Sequence, residues 1–401
     1  MKKIKNILPV AGIKLAAVSA GIKKNGGEDL VVLSFDENSA CAAIFTQNAF
    51  CAAPVTLSKQ HLSQYSPSAL LINSGNANAG TGEIGLQNAK QSCNWLADVL
   101  HCSPEQVLPF STGVIGEQLP MSVFQSGINK AVEQLSEDNW LAAAKGIMTT
   151  DIVEKAITKT LLLDGKQITI SGIAKGSGMI CPNMATMLAF IATDANIDTD
   201  FLQQCLTKAV ENSFNAITVD GDTSTNDACV LIATGKAGNK KIDETSTGIS
   251  DFVSELNAVC QHLAQAVIRD AEGATKFVTV SVELAQSKNE AKNVAYTIAH
   301  SPLVKTALFA SDPNWGRILA AVGRAKIKQL DISKINIFLG DVCIVQNGAV
   351  DNDYTEDKGQ LVMNQSEITI TVVLNRGGES ATVWTSDLSH EYVRINSEYR
   401  S

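Results

Sequence analysis

The chain has 401 residues, of which 45% are apolar and 18% charged, a composition typical of a globular protein with a substantial core. This length predicts two or three domains, or one large body with an attached lobe. The net charge of -9, with no basic run, argues against a nucleic-acid partner. No apolar run approaches the length of a membrane span, and the amino terminus lacks an uninterrupted signal-peptide core. We therefore expect a cytoplasmic protein.

The first third of the chain predicts short strands separated by glycine-rich turns. Residues 28–35 and 41–57 are strand-like, and a further strand begins at residue 69. A helix is predicted over 86–102, and a strand follows that runs into "STGVIGE". Another helix precedes "GIMTTD". The helix over 86–102 is indicated by apolar residues at helical spacing: Leu86, Ala89, Cys93, Leu96 and Leu100.

The rest of the chain alternates between apolar strands and amphipathic helices. A hairpin is predicted over 160–178, with its turn at Asp164-Gly165, and a strand buried on both faces over 186–195. The later elements are helices at 200–214, 250–271 and 290–300, and strands at 277–285, 335–348 and 367–388. Strands and helices in similar measure, with many hairpins, predict an α/β fold with layered, mixed sheets.

The nine cysteines and five histidines form no recognisable site. No CxxC pair occurs, and the histidines lack the spacing of metal ligands. The acidic stretch "VDGDTSTND" lacks the register of a calcium-binding loop, so we interpret it as a polar turn network that orders the core. We expect neither a metal nor a cofactor.

The stretch "GSGMICPNMATM" places a polar, glycine-broken loop directly before a buried strand, with the junction at Ala185-Thr186. One interpretation is an ordinary strand opening, where β-branched residues are common. The other is self-cleavage, in which the Thr186 hydroxyl attacks the Ala185 carbonyl and water releases the upstream segment. Thr186 would then carry an α-amine with a pKa of about 7.7–8, able to accept the proton of its own hydroxyl.

The strand end "PFSTGVIGE" is the second candidate site. Gly113 allows close approach at a turn where backbone N–H groups become available. Such a turn is common on its own, but beside a nucleophile it would form an oxyanion hole, in which one donor contributes about 2.7–4 kcal/mol.

These motifs together resemble one family, the ornithine acetyltransferases, also called glutamate N-acetyltransferases of the arginine pathway. The resemblance runs nearly end to end. It is carried by "FCAAPV", "NSGNANAGTG", "STGVIGE", "MTTD", "GIAKGSGMICPNMATM", "SFNAITVDGDTSTND", "RDAEGATKF", "SDPNWGR" and "YVRINSEYRS".

The resemblance implies a self-processing amino-terminal-nucleophile enzyme with a layered α/β sandwich. The chain would be cut between Ala185 and Thr186 into an α chain of 1–185 and a β chain of 186–401. A smaller α/β lobe is expected at about 280–390. Two copies of each chain would form an α2β2 heterotetramer.

The resemblance also implies a role for individual residues. Thr186 would be the nucleophile that carries the acetyl group, with Thr112 and Gly113 as the oxyanion hole. The implied substrate-binding residues, besides Thr186 itself, are Thr149 (with Thr150 as the near alternative), Lys175, Glu272, Asn396 and Ser401. Lys175 would bind the shared α-carboxylate and Glu272 the side-chain ammonium of ornithine.

The implied reaction is a ping-pong transfer of acetyl from N-acetylornithine to glutamate, giving ornithine and N-acetylglutamate. Nothing in the sequence decides whether acetyl-CoA also serves as acetyl donor. An aminopeptidase or amidase with the same type of nucleophile is the enzymatic alternative. A non-enzymatic α/β binding protein, in which "MATM" merely opens a strand, is the alternative of a different class.

Overall fold

The structure, a computed structural model, describes residues 7–24, 26–181 and 187–398. Its strands are β1 Ile13–Val18, β2 Leu30–Phe35, β3 Ala40–Phe45, β4 Ala69–Asn76, β5 Val107–Val114, β6 Lys155–Leu163, β7 Lys166–Lys175, β8 Leu188–Thr193, β9 Ile217–Thr218, β10 Ala228–Ala233, β11 Phe277–Ala285, β12 Asn336–Leu339, β13 Val342–Gln346, β14 Ala349–Val350, β15 Glu367–Val373 and β16 Glu379–Ser386. Its helices are α1 Ala53–Gln64, α2 Gly82–Leu100, α3 Met121–Glu133, α4 Trp140–Gly146, α5 Thr199–Glu211, α6 Ile249–Arg269, α7 Lys288–Ala299, α8 Pro302–Phe309, α9 Trp315–Arg324, α10 Glu356–Met363 and α11 His390–Ser397.

The chain divides into two compact units. The first comprises Met1–Asn215 and Asp222–Val267, and the second comprises Ala216–Gly221 and Ile268–Ser401. The predicted α and β chains are defined by a cut in the backbone, whereas these two units are defined by how the residues pack. The units therefore do not test the predicted chains. That cut and the lobe at about 280–390 stay predictions.

The first unit is built around two facing sheets. One has the strand order β1-β2-β4-β5 and the other β3-β10-β8-β7-β6, and each mixes parallel and antiparallel pairs. Apolar side chains from both sheets form one core between them, where the Phe110 and Phe190 rings meet edge to face with centroids 5.2 Å apart. Helices α2 and α3 cover the outer face of the first sheet, and α5 packs on β3 and β10 of the second. The predicted α/β class with layered, mixed sheets is confirmed.

The strand that follows the predicted cleavage junction lies in the middle of the second sheet. Every residue of β8 and of its parallel neighbour β10 is buried, as expected for strands covered on both faces. On its other side β8 pairs antiparallel with β7. Leu188, at the start of β8, therefore lies between Lys175 of β7 and Ala228 of β10. The sheet register thus brings two distant segments to the beginning of this strand.

Local patterns predicted several elements of the first unit correctly. The hairpin of β6 and β7 turns at Asp164 and Gly165, whose φ angles of 51° and 71° suit a two-residue turn. The helix predicted over 86–102 is α2, and its stripe packs on the first sheet. The apolar stripe of α6 is fully buried: Phe252, Leu256, Val259, Leu263 and Val267 are each 0% exposed.

The strand predicted over 41–57 is wrong in its second half. Strand β3 ends at Phe45, and helix α1 begins at Ala53. Pro54 lies in the first turn of α1, where a missing N–H costs nothing. The apolar residues of "CAAPVTL" give no clear helical stripe, and this is why the sequence pattern favoured a strand.

The second unit contains one sheet with the strand order β14-β13-β12-β15-β11-β16-β9. Apolar residues of this sheet pack with helices α7, α8 and α9 to form a separate core. The interior strand β11 runs parallel to β15 and antiparallel to β16. Among the residues described, no helix combines the length and apolarity that crossing a membrane requires.

Candidate active site

The predicted oxyanion turn lies at the end of β5, in the first unit. Thr112 is buried, and Gly113 has a φ of +133°, a left-handed conformation that favours glycine. A Cβ at Gly113 would come within 2.3 Å of the carbonyl carbon of Gly75, on the paired strand β4. Only glycine fits this turn, because both its backbone angles and its lack of a side chain are required.

Lys175 lies against this turn. It ends strand β7, is 4% exposed, and donates a hydrogen bond from Nζ to Thr112 Oγ1 at 3.2 Å. A hydroxyl that accepts from an ammonium keeps its own hydrogen to donate elsewhere. The contact therefore leaves Thr112 able to donate to a developing oxyanion. Two residues that lie 63 positions apart in the sequence meet here in one site.

The buried carboxylate of Asp151 accepts hydrogen bonds from the backbone of two segments near Lys175. Its Oδ1 accepts from Lys155 Nζ at 2.6 Å and from the Gly176 N–H at 2.7 Å. Its Oδ2 accepts from the Thr149 N–H at 3.0 Å. Asp151 thus joins the "MTTD" loop to the end of β7, next to Lys175. Thr149 and Thr150 are both half-buried, and the choice between them as substrate contact stays open.

The charges around Asp151 compensate one another. Burial by itself raises the pKa of Asp151, but the charges of Lys155 and Lys175 and the Gly176 N–H together lower it to about 2. Lys23 belongs to the same group, and burial lowers its pKa despite the nearby Asp29 and Asp151. Three lysines close to the buried carboxylates of Asp151 and Asp29 form an environment suited to binding an anionic substrate group.

Asp227 binds the backbone of Met187, the first described residue after the predicted cleavage junction. Its Oδ1 accepts from the Met187 N–H at 3.0 Å, and the Ala228 N–H donates to the Met187 carbonyl at 3.2 Å. Both backbone polar groups of Met187 are therefore bound by residues at the start of β10. Ala185 and Thr186, the predicted cleavage residues, lie outside the described residues.

Asn226 connects this strand end to the oxyanion turn. Its Nδ2 donates to the Ser111 carbonyl at 2.9 Å and to the Ala77 carbonyl at 2.6 Å. Ser111 directly precedes Thr112. The side chains of "TND" thus link the start of β8 with the end of β5, as the polar turn network predicted from the sequence would do.

Glu272 and Asn396 meet in the second unit. Asn396 Nδ2 donates to Glu272 Oε2 at 2.7 Å, and Glu272 is 7% exposed. Helix α11, which carries Asn396, is anchored through Ser389, whose Oγ donates to the Gly273 carbonyl at 2.7 Å. Tyr392 of the same helix donates to Asp220 Oδ2 at 3.0 Å. These three contacts hold helix α11 against other residues of the second unit, and Ser401 lies outside the described residues.

The structure thus places the described site residues in two groups, each within one unit. Thr112, Gly113, Thr149 and Lys175 belong to the first, and Glu272 and Asn396 to the second. Three residues at these sites were missed, although each stands in or next to a quoted motif: Asp151 in "MTTD", Asp227 in "TND", and Lys155 four residues after Asp151. For the two aspartates, the signal that could have found them is an acidic residue directly beside a predicted site segment, whereas no sequence pattern pointed to Lys155. The predicted functional roles themselves stay predictions.

Within residues 7–24, 26–181 and 187–398, no three His, Cys, Asp or Glu side chains come together as a metal-binding group. All nine cysteines are described residues, and no disulfide joins any two of them. The expectation that the protein uses neither a metal nor a cofactor stays a prediction.

Known proteins resemble this chain over nearly its whole length. The ArgJ family matches residues 14–401. The arginine biosynthesis bifunctional protein ArgJ of Methylococcus capsulatus is 56% identical over 395 residues, 98% of this chain and 97% of that protein. The protein of the same name from Pseudomonas fluorescens is 54% identical over 394 residues, again 98% and 97%.

A solved structure is also similar. The arginine biosynthesis bifunctional protein ArgJ of Bacillus halodurans is 37% identical, with a TM-score of 0.50, and the match covers 52% of this chain and 97% of that chain. These similarities agree with the family resemblance predicted from the sequence motifs. The chain belongs to the ArgJ family.

Proposed function

We propose that this chain transfers an acetyl group from N-acetylornithine to glutamate through an acetyl ester on Thr186. Membership of the ArgJ family makes the chain an acyltransferase, and the proposal adds the substrates and the nucleophile. The observation that carries it is the contact between Lys175 and Thr112, made where β7 pairs with the start of β8. A buried cation and a hydroxyl that keeps its own hydrogen to donate thereby lie beside the strand that follows Thr186 in the sequence.

The proposed chemistry begins with the α-amine that Thr186 gains on self-cleavage. This amine takes the hydroxyl proton of Thr186 while the oxygen attacks the acetyl carbonyl, and Thr112 and Gly113 stabilise the oxyanion. The amine then gives the proton to the departing nitrogen of ornithine, leaving acetyl-Thr186. The α-amine of glutamate attacks this ester, and the same steps in reverse release N-acetylglutamate.

The buried cations match what the two substrates share. N-acetylornithine and glutamate both carry an α-carboxylate but differ in side-chain charge, so recognition must centre on the common group. Lys175, held between Thr112 and the Asp151 cluster, is the proposed partner of that carboxylate. Thr149 is proposed to contact the substrate from the loop that Asp151 fixes, with Thr150 as the near alternative. Asn396 and Ser401 are proposed as the remaining contacts.

Cleavage into two chains is part of the proposal. A β chain of 186–401 would be slightly more than half of the sequence, and the solved chain from Bacillus halodurans matches a similar share of this one. We propose an α2β2 assembly of the two chains in the cytoplasm, with neither a metal nor a cofactor bound.

Incubation of the purified protein with N-acetylornithine and glutamate is expected to yield ornithine and N-acetylglutamate in equal amounts. Chromatography of the products measures both, and omission of glutamate measures hydrolysis to acetate. Because the acetyl ester must survive until glutamate binds, acetate should form much more slowly than N-acetylglutamate. Acetate without N-acetylglutamate would favour the amidase alternative. A parallel reaction with acetyl-CoA as donor tests that second source of acetyl.

Replacement of Glu272 with glutamine is expected to weaken the use of N-acetylornithine selectively. Glutamine preserves the size of the side chain but removes the charge that pairs with the ornithine ammonium, an interaction of about 1.5–3 kcal/mol. We expect the KM for N-acetylornithine to rise by roughly 10- to 100-fold, with the KM for glutamate nearly unchanged.

The matched control is Glu391→Gln, an exposed carboxylate in helix α11 of the same unit. This control should leave both KM values at the wild-type level. An equal rise in both KM values in the Glu272 variant would contradict the assigned partner, because glutamate has no side-chain ammonium.

A further inference from the structure

The segment that carries Lys23 is fixed by one buried carboxylate. Asp29 is 0% exposed, and its two oxygens accept the backbone N–H groups of residues 20–23 at 2.6–3.1 Å. The side chain of Lys23 is also held, because its Nζ donates to the Glu28 carbonyl at 2.8 Å. A lysine that is bound at both its backbone and its ammonium loses little further freedom when a ligand arrives.

Lys23 lies against the strand that pairs with the oxyanion turn. A Cβ at Gly75 of β4 would come within 3.0 Å of Lys23 Cγ and 3.4 Å of the Lys23 backbone nitrogen. Gly75 is in turn the partner of Gly113 on β5. The absence of a side chain at Gly75 therefore lets Lys23 approach the strand end where the oxyanion turn and Lys175 meet.

The charge of Lys23 belongs to the same environment as that of Lys175. Burial lowers the pKa of Lys23. The carboxylates of Asp29, Asp151 and Glu28 act in the opposite direction, and the like charge of Lys175 acts in the same direction as burial. Within the described part of the chain, one of the three ammonium N–H groups is used, in the bond to the Glu28 carbonyl. The other two can bind an anion, which would also offset the repulsion from Lys175.

The acceptor substrate carries a carboxylate that the donor substrate lacks. The side chain of N-acetylornithine ends in an ammonium, for which Glu272 is the proposed partner, whereas the side chain of glutamate ends in a carboxylate. Glu272 would repel that carboxylate, so one charged residue cannot recognise both side chains. Because Lys175 is the proposed partner of the shared α-carboxylate, the side-chain carboxylate of glutamate needs a second cation.

We propose that Lys23 binds the side-chain carboxylate of glutamate and thereby selects glutamate as the acetyl acceptor. The inference rests on the proposed function, since it assigns a partner to one group of a proposed substrate. Lys175 then serves both substrates, and Lys23 serves only the acceptor. The bonds from Asp29 and Glu28 hold this lysine in place before glutamate binds, which reduces the entropic cost of recognition.

The test compares glutamate with glutamine as acetyl acceptor. Glutamine has the same length but carries a neutral amide in place of the side-chain carboxylate. Wild-type enzyme should prefer glutamate by roughly 10- to 100-fold in kcat/KM, the range expected for one hydrogen bond between charged groups. In Lys23→Met this preference should fall to about threefold or less, through a higher KM for glutamate, while the rate with glutamine is retained.

The matched control is Lys24→Met, which removes an exposed lysine from the adjacent position. It should keep the wild-type preference. Lys23→Arg retains a cation and should keep most of the preference, which a purely structural role for the lysine would not predict for charge alone. The KM for N-acetylornithine should stay within about threefold of wild type in all three variants. If thermal unfolding shows that Lys23→Met does not fold, Lys23→Gln takes its place in the same comparison.

Wild-type enzyme that uses glutamine as well as glutamate would overturn the inference without any variant. An unchanged preference in the Lys23 variant would overturn it too, as would an equal rise in the KM of both substrates, which would indicate a contact with a group that they share. Each of these results leaves acetyl transfer itself intact. Wild-type protein that forms no N-acetylglutamate would instead refute the proposed function, so the two failures are distinguishable.

Discussion

Replacement of Thr186 with alanine is expected to leave the chain uncut and to abolish acetyl transfer. The alanine has no hydroxyl to attack the Ala185 carbonyl, so no α-amine is released and no acetyl ester can form. Intact-mass measurement should show one polypeptide of 42.5 kDa in place of two shorter chains. Transfer should fall by at least about 10³-fold, because both the nucleophile and its base are lost together.

Two controls separate this chemistry from a loss of structure. Thr186→Ser retains a hydroxyl and should still be cut, although more slowly. Thr193→Ala removes a buried threonine from the other end of the same strand, where its Oγ1 accepts the Ala195 N–H, and should leave cleavage unchanged. Normal processing of the Thr186→Ala chain would refute the assigned nucleophile.

The parts of the fold that could be predicted from sequence are those determined by local periodicity. Strand β8 is a continuous apolar run and α6 carries a stripe at helical spacing, so each pattern indicates its element directly. Helices α1 and α8 were not predicted. Both are short and begin with proline in the first turn, and their helical state depends on the surface against which they pack.

The sequence motifs named residues that the structure brings together, but they did not predict the contacts between them. The motif resemblance named Thr112 and Lys175, yet their meeting depends on β5 and β7 belonging to two different sheets that face each other. No periodicity in one sequence specifies which sheets face each other. Asp151 was missed because only the fold brings the Gly176 N–H, 25 positions away, to the same carboxylate that binds the nearby Thr149 N–H and Lys155 ammonium.

Replacement of Asp151 with asparagine is expected to destabilise the first unit and to lower transfer activity. The variant removes the carboxylate that pairs with the Lys155 ammonium at 2.6 Å, at a place where both side chains are 0% exposed. Removing one partner of a buried ion pair costs about 3–5 kcal/mol, so we expect a fall in the thermal midpoint of several degrees. Transfer should fall as well, because the Thr149 and Gly176 backbone groups lose the carboxylate that holds them beside Lys175.

The stability that Asp151 contributes should decrease as the pH is lowered. The pKa of Asp151 lies at about 2 in the folded protein, against an ordinary value of 3.8. Its contribution of about 2 kcal/mol to stability is therefore fully present above pH 4 and is lost as the pH falls from about 4 to 2. Thermal midpoints measured across this range should fall more steeply for the wild type than for Asp151→Asn.

Two further variants show whether burial is the cause of the effect. Asp36 also has a pKa lowered to about 2, chiefly through the Asn38 N–H and Lys236, but it lies on the surface. Asp36→Asn should leave the midpoint unchanged, since solvent screens an exposed pair. The double variant Asp151→Asn/Lys155→Met removes both buried charges and should recover part of the stability lost by the single variant. If the double variant is instead less stable than Asp151→Asn, the broken ion pair with Lys155 is not what destabilises the single variant, and the backbone bonds to Thr149 and Gly176 carry the effect.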